Sequence, residues 1–198
     1  MNPKLTFLHS GILRRALRLC ACASVASVCL FSTSAAFAQD LRLFLKIKGI
    51  KGDSTDVGHE GEINAIAFSS AIQNIVSTSG SGASVGRPKV SEITVTKMVD
   101  KTSPLLFVYC ASGKHLANAE ITVANTGGEK LTDFFKITLT DVLVSSVKTG
   151  ANENTGALTE GVTLAFTKIQ WKYIVYDPAG GVSTEVTGGY DLKKNVTF

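Results

Sequence analysis

The chain has 198 residues, with 20 lysines and arginines, 16 aspartates and glutamates, and a formal net charge of +4. The first 38 residues hold four of the basic residues (Lys4, Arg14, Arg15 and Arg18) and no acidic residue, so residues 39–198 are neutral. A strong excess of basic charge is typical of proteins that bind nucleic acids. The neutral remainder of the chain therefore argues against nucleic-acid binding.

Residues 1–38 have the three parts of a secretory signal peptide. The basic residues come first, an apolar run from Leu19 to Phe31 follows, and the triplet Ala36-Phe37-Ala38 ends the segment. The alternative is a retained membrane anchor, but the run is too short to cross a hydrocarbon core of ~30 Å as a helix. We therefore expect cleavage between Ala38 and Gln39, export to the periplasm or the cell exterior, and no stable membrane insertion afterwards.

Three of the four cysteines, Cys20, Cys22 and Cys29, lie in this leader. Cys20 and Cys29 do not follow the leucine and small residues that a lipidation signal needs. The mature chain keeps only Cys110, which excludes an internal disulfide, so packing alone must stabilise the fold. About 160 residues suffice for one good core, and we predict that residues 39–198 form a single domain.

Apolar and polar residues alternate along the first segments of the mature chain, which predicts half-buried strands. The first strand runs from Leu41 to Ile47, and the second apolar segment runs from Glu62 to Ile72. The third, Lys89 to Val99, places Ser91, Ile93, Val95, Lys97 and Val99 on one side. A shorter strand, Ala119 to Asn125, ends at a glycine-containing turn.

Two later strands are long, and the alternation changes phase within each. Phe135, Ile137 and Leu139 are apolar at odd positions before Asp141, and Val142 to Val144 follow. In the next strand the phase changes between the even set Val162, Leu164 and Phe166 and the odd set Ile169, Trp171, Tyr173 and Val175. Because a one-residue slip turns the core face outward, we predict a β-bulge in each strand. Bent strands indicate a small curled antiparallel β-barrel or sandwich.

One short helix is predicted over residues 104–112. Ser103 is a suitable N-cap, Pro104 fits the first helical position, and Gly113 can adopt the left-handed C-terminal conformation. A helix of two turns is unstable alone, so its apolar face is expected to dock on the sheet.

The segment Ser77–Pro88 has no core pattern and is long for a loop in a compact domain. Its glycines, Gly80, Gly82 and Gly86, are one residue off the spacing of a dinucleotide-binding loop, and no helix signal follows them. A functional or disordered loop is therefore expected in place of a phosphate cradle.

The residues that carry chemistry match no catalytic or metal-binding pattern. His59, His115 and Cys110 lack the spacing of zinc ligands, and Cys110 with His115 is a weak nucleophile pair. The acidic residues are scattered, so none forms an evident general acid–base pair; they are Asp53, Asp56, Glu60, Glu62, Glu92, Asp133, Asp141 and Glu160. Trp171 is expected in the core or at an interface. No catalytic residue, cofactor or metal is therefore assigned.

Short segments in order along the mature chain resemble one known family. They are Phe44-Leu45-Lys46-Ile47, Gly49-Ile50-Lys51-Gly52-Asp53-Ser54, His59 with Glu62-Ile63, Val95-Thr96-Lys97, Asp100-Lys101-Thr102-Ser103-Pro104-Leu105, Cys110-Ala111-Ser112-Gly113-Lys114-His115, Asp141-Val142-Leu143-Val144-Ser145-Ser146-Val147, Glu160 with Val162-Thr163-Leu164-Ala165-Phe166, and Gly189-Tyr190-Asp191. Their order and spacing resemble the Hcp (haemolysin-coregulated protein) family of type VI secretion over nearly all of Leu41 to Val196.

The resemblance implies a small β-barrel with a short helix at its side. It also implies rings of six subunits that can stack into a tube, a partnership with type VI secretion components or effector cargo, and no enzymatic activity. On this basis we expect the glycine-rich loop to contact a neighbouring subunit through Ser77, Gly80, Gly82, Val85, Gly86 and Arg87. The leader is a departure, because ordinary members leave from the cytoplasm through the type VI apparatus.

Two other functions remain open at this point. One is a monomeric exported module that binds a small ligand or an envelope partner, and the other is an exported hydrolase built from the scattered carboxylates. Rings or monomers of the purified protein distinguish the tube hypothesis from the binding module.

Overall fold

The alternating segments form strands in the computed structural model, which describes residues 40–74, 76–77, 84–126, 131–153 and 156–198. The elements in chain order are β1 (Leu41–Ile47), β2 (Ile63–Ser69), β3 (Ile72–Gln73), β4 (Val76–Ser77), β5 (Ser84–Val85), β6 (Lys89–Val90), β7 (Ile93–Met98), α1 (Ser103–Ser112), β8 (His115–Asn125), β9 (Thr132–Asn152), β10 (Ala157–Ala165), β11 (Lys168–Tyr176), β12 (Val182–Asp191) and β13 (Val196–Thr197).

Six antiparallel strands close into a barrel. Their order is β10-β7-β2-β1-β8-β9, and the additional pairing of β9 with β10 closes the circle. β11, β12 and β13 extend the sheet from β9 beyond the barrel. The predicted mainly β fold with a curled antiparallel barrel and one short helix is therefore confirmed.

Inward positions of these strands form one apolar core. Leu45, Ile121 and Ile137 on three neighbouring strands are fully buried and belong to one cluster with Leu106 of α1. Burying each such side chain contributes about 1.5–3 kcal/mol relative to leaving it in water. The helix thus docks on the barrel as expected, and Leu106 joins the core.

β9 is a single strand of 21 residues that pairs with three other strands. Its phase changes at Asp141, which has a positive φ of 53°. The pairing register of β9 also shifts against β8 at Val123/Ala124 and against β10 at Thr163/Leu164. β9 thus contains bulges, but they lie at Phe134 and Ser145, on either side of the phase change at Asp141 where the bulge was predicted.

The second of the two long strands predicted from the sequence is in fact two strands. It is interrupted at Phe166 and Thr167, which separate β10 from β11. Both strands nevertheless keep the same register along β9, because Leu164 pairs with Val144 and Lys168 with Thr140. The change of phase is thus absorbed by a break opposite Asp141 and not by a bulge.

Two of the predicted early strands are also interrupted. Glu62 to Ile72 becomes β2 followed by the short β3, and Lys89 to Val99 becomes β6 followed by β7. The short pieces pair with each other, as β3 pairs with β6 and β4 with β5. The described residues between β2 and β7 (70–74, 76–77 and 84–92) thus contain paired short strands and are here called the arm, where the sequence predicted a loop over Ser77–Pro88.

The helix has the predicted span but not the predicted N-cap. Thr102 occupies the N-cap position without a side-chain capping bond, and Ser103 is already helical. The Ser103 hydroxyl donates to Glu160 Oε1 at 2.8 Å, which removes it from capping. Gly113 ends the helix in the left-handed conformation with φ 61°, as predicted.

No helix within the described ranges is long and apolar enough to cross a membrane.

Candidate functional site

The outward side of α1 is apolar. The helix contains no charged residue, and Leu105, Phe107 and Val108 are exposed, Phe107 by 64%. A surface helix normally turns a charged face to water. These three residues, here called the helix surface, are therefore suited to contact another protein.

A second apolar surface lies on the β11–β12 hairpin. Ile169 and its partner Tyr190 are buried in the core, and the same face continues outward to Tyr173, Val175 and Val186. All three are at least 40% exposed. The core-facing side of the sheet thus runs past the barrel and stays uncovered. Tyr173, Val175 and Val186 are called the hairpin surface.

The two surfaces lie on different elements and share no residue. β8 pairs with one edge of β9, and α1 leads directly into β8. β11, which begins the hairpin, pairs with the other edge of β9. One copy therefore carries two separate apolar surfaces, as a head-to-tail interface between identical subunits requires.

The arm is the third candidate contact, and it includes four of the six predicted loop residues. Gly86 and Arg87 are exposed, and the backbones of Ser77 and Val85 belong to β4 and β5. Gly80 and Gly82 lie outside the described residues. The Arg87 guanidinium donates to the backbone carbonyl of Leu192 in its own chain, near the β12–β13 turn.

His59 ties the β1–β2 loop to the start of β9. Its ring stacks on Phe44 with centroids 3.9 Å apart, and its nitrogens lie 2.9 Å from Glu62 Oε2 and from Asp133 Oδ1. The sequence placed His59 in a loop, which is correct, but the side chain is buried. Tyr176 donates its hydroxyl to the Asp133 carbonyl at 2.7 Å, which adds β11 to the same network.

Lys97 is the most buried charged side chain in the described structure, with no exposed surface. Its Nζ lies 2.8 Å from Asp100 Oδ1 and 2.8 Å from Glu160 Oε1, and it donates to the Met98 carbonyl. Burial by itself would raise the pKa of Asp100, but hydrogen bonds from Lys97 and Thr102 outweigh it and lower that pKa. The network fixes the entry of α1 against β7 and β10.

The other polar candidates are engaged in surface contacts. His115 Nδ1 lies 2.9 Å from Asp141 Oδ1, and Lys193 bonds the second oxygen of the same carboxylate. Those two bonds hold the pKa of Asp141 below its ordinary range. Cys110 is a free, half-buried thiol that packs against the core. In the ranges that the structure describes, no group of three or more His, Cys, Asp or Glu side chains could hold a metal ion.

Comparison with known families identifies the chain. The model of the family described as "Type VI secretion system effector, Hcp" matches residues 44–173. The chain belongs to the Hcp family. It is 37% identical to Protein hcp1 of Pseudomonas aeruginosa over 156 residues, which cover 78% of this chain and 96% of that protein.

Solved structures of Hcp proteins share the fold. The crystal structure of Hcp1 from Salmonella typhimurium has a TM-score of 0.65 and 31% identity, and the match covers 80% of this chain and all of that one. A structure titled as a type six secretion system protein has a TM-score of 0.74, with the same coverage. At 24% identity this second match shows the fold alone.

The sequence predicted some of the residues described above and missed others. It expected Trp171 in the core or at an interface, and Trp171 is half-buried against the core. It missed the helix surface, although ten helical residues without a charge were a visible signal. It also missed the partners of His59 and Lys97, because Asp133 and Glu160 are far from them in sequence and give no local signal.

Proposed function

We propose that this Hcp protein is a non-enzymatic structural component of a type VI secretion system, whose copies assemble into six-membered rings. Family membership supports the association with type VI secretion and the export of the protein. The presence of two separate apolar surfaces on one copy carries the assembly proposal. The number six and the stacking of rings into a tube follow the resemblance to the family.

The proposed ring contact pairs the helix surface of one copy with the hairpin surface of the next. Both surfaces are apolar and rigidly backed, since Leu106 anchors the helix and Ile169 anchors the hairpin in the core. Identical surfaces on both sides of a contact would give a closed dimer, whereas two different surfaces allow a ring. Burying apolar area of this kind contributes about 25 cal/mol per Å² before the costs of association.

A charge at the centre of the helix surface should prevent ring formation. We expect Phe107→Glu to convert rings to monomers, because the carboxylate would have to lose its water in the contact. Size-exclusion chromatography with light scattering measures the mass, and circular dichroism checks the fold. The matched control is Val57→Glu, which adds the same charge at a residue 84% exposed in the β1–β2 loop.

Rings of unchanged mass in Phe107→Glu would refute this contact. Monomers of the unmodified protein at high concentration would refute the ring and favour the monomeric binding module. Native mass spectrometry of the unmodified protein gives the subunit number directly.

The arm is proposed as an additional contact to a neighbouring copy. Ile72 and Val76 are both more than half exposed on it, and its short strands leave backbone groups free to pair with another chain. In this arrangement Arg87, one of the residues expected at the interface, holds the arm to the β12–β13 turn of the same copy.

The leader is proposed to be a signal peptide that is removed before assembly, so that the mature domain covers residues 39–198. The support is the basic, apolar and small-residue order of residues 1–38. Amino-terminal sequencing of the protein recovered from cells should begin at Gln39. A mature protein that begins at Met1 would contradict cleavage.

A further inference from the structure

Five ionisable side chains form a continuous series of contacts around His59. Lys46 Nζ lies 3.1 Å from Glu62 Oε1, and the other oxygen of Glu62 lies 2.9 Å from His59 Nδ1. On the opposite side of the ring, His59 Nε2 lies 2.9 Å from Asp133 Oδ1, and the other oxygen of Asp133 lies 2.9 Å from Lys136 Nζ. The series, here called the clasp, connects β1 and the β1–β2 loop to β9.

The two lysines of the clasp determine which hydrogen bonds the ring can make. Each carboxylate has one oxygen at a lysine ammonium group, which favours the ionised form of the carboxylate. An ionised carboxylate only accepts hydrogen bonds, so both ring nitrogens of His59 face acceptors. A neutral imidazole has one donor and one acceptor nitrogen, whereas an imidazolium donates from both. The geometry therefore fits a ring that carries two protons.

The groups next to the ring on its own side of the clasp also favour a positive charge. The ring stacks on Phe44 with centroids 3.9 Å apart, and a cation over an aromatic face is attracted to that face. Glu60 follows His59 directly in the sequence. Backbone hydrogen bonds from Glu60 and Gly58 lower the pKa of Glu60, and the nearby His59 lowers it further, so this carboxylate is ionised beside the ring.

On β8, β9 and β11 the ionisable groups that face the clasp are Glu120, Lys136 and Tyr176. Burial alone would lower the pKa of Lys136, but Asp133, with smaller effects of Glu120 and Glu62, raises it. Burial raises the pKa of Tyr176, whose neutral hydroxyl donates to the Asp133 carbonyl. Two lysines and four carboxylates thus surround the ring, and a second ring proton reduces this excess of negative charge.

The clasp is the buried polar attachment of the β1–β2 loop to β9, and the His59 side chain is buried. Two further ion pairs connect the loop to other parts of the chain. Asp53 lies 2.7 Å from Lys101, and Asp56 lies 4.0 Å from Arg42. Both basic side chains are more than half exposed, and exposed pairs contribute little. The attachment of the loop therefore depends mainly on the clasp.

We propose that the clasp is a pH-sensitive device, which holds the β1–β2 loop against β9 while His59 carries two protons and releases the loop when the ring loses one. A ring with one proton turns a lone pair toward one of the two carboxylates, so one contact becomes repulsive. The stability that the clasp contributes is thus present while the ring is an imidazolium and is lost as the pH rises. The clasp shares no residue with the helix surface, the hairpin surface or the arm, so it is independent of ring assembly.

Nitrogen-15 NMR of the histidine side chains in the unmodified protein measures the protonation directly. We expect both ring nitrogens of His59 to carry protons at about pH 7.5, where a histidine in an unfolded chain is mostly neutral. Nitrogen-15 relaxation of the loop amides should show more motion at about pH 9 than at about pH 7.5, because the ring has then lost a proton. This measurement needs no variant.

Urea unfolding at one protein concentration tests the consequence for stability. We expect His59→Gln to raise the unfolding equilibrium constant about tenfold more at about pH 5.5 than at about pH 9, because the charged hydrogen bond that it removes exists only at the lower pH. The matched control is His115→Gln, which removes a ring 2.9 Å from Asp141 at a side chain 67% exposed. Its effect at the two pH values should differ by less than about threefold.

Asp133→Asn separates the proton from the shape of the contact. The amide has the size of the carboxylate and can donate as well as accept, so a ring with one proton can donate to Glu62 and accept from the new amide. The pH dependence of stability should therefore shrink in this variant. The proposal is overturned if one ring nitrogen of His59 is unprotonated at about pH 7.5, if His59→Gln has the same effect at both pH values, or if Asp133→Asn retains the full pH dependence.

Discussion

At the scale of single residues, buried charges of this Hcp protein organise contacts between distant elements. Lys97 connects β7, the helix entry and β10, and His59 connects the β1–β2 loop to β9. In the described ranges no buried side-chain nitrogen or oxygen lacks a hydrogen-bond partner. Each such group therefore has its desolvation cost offset by bonds, and removal of one partner leaves the other uncompensated.

Lys97→Met should be strongly destabilising. It leaves Glu160, which is 2% exposed, without its cation, and breaking a buried pair in this way costs about 3–5 kcal/mol. Urea unfolding at fixed protein concentration measures the free energy of unfolding.

The matched control for that variant is Lys172→Met. It removes an ion pair to Glu185 of 2.8 Å whose two side chains are 36% and 43% exposed, and it should cost less than about 1 kcal/mol. Equal losses in the two variants would show that burial of the Lys97 network does not matter for stability.

At the scale of elements, α1 and the β11–β12 hairpin each combine apolar residues in the core with apolar residues in water. Leu106 and Phe107 are adjacent in sequence, yet one is fully buried and the other largely exposed. On the hairpin the division runs along one face, from the buried Ile169 to the exposed Tyr173. Elements whose apolar residues continue from the core into water are typical of subunit interfaces, because assembly covers what the fold leaves open.

Shortening the arm tests whether it contacts a neighbouring copy. Val76 pairs with Val85, so replacing residues 77–84 by Asn-Gly should close a short hairpin without strain at the barrel. We expect a folded barrel by circular dichroism and a lower mass by light scattering, because the arm no longer reaches a neighbour. Rings of unchanged mass would contradict the proposed arm contact.

At the scale of the whole molecule, the barrel and its extension are built from pairings between distant segments. β1 pairs with β8 and β10 pairs with β7, and the closing contact joins β10 to β9. The six strands of the barrel have no free edge. In the described structure β13 pairs with Tyr190 and Asp191 at the end of β12, so the earlier part of β12 has a free edge. Every strand of the closed barrel has a partner on both edges, whereas the free edge of the extension is available to pair with another chain.

Assembly should appear in the thermal stability of the whole molecule. If only folded subunits assemble into rings, the midpoint of thermal unfolding should rise with protein concentration, because dilution favours dissociation. Differential scanning calorimetry over a hundredfold concentration range measures the shift. Phe107→Glu should show no such dependence, and a concentration-independent midpoint of the unmodified protein would argue against assembly.

The sequence alone determined the local features of this protein. Alternation identified β1 and the core face of β7, Pro104 and Gly113 bounded the helix, and the phase change at Asp141 indicated that β9 is irregular. The ordered segments also identified the family. These features are local because side-chain periodicity, fixed φ angles and positive φ act within a few residues.

Only the tertiary structure decided which distant residues meet. It showed that Ser103 bonds Glu160 in place of capping the helix, that Phe166 and Thr167 separate two strands, and that Lys97 is paired and buried. It also showed that the side of α1 that does not pack on the barrel is apolar and faces water. Strand pairing brings together segments far apart in the chain, and nothing in a short window of sequence specifies which ones will be neighbours.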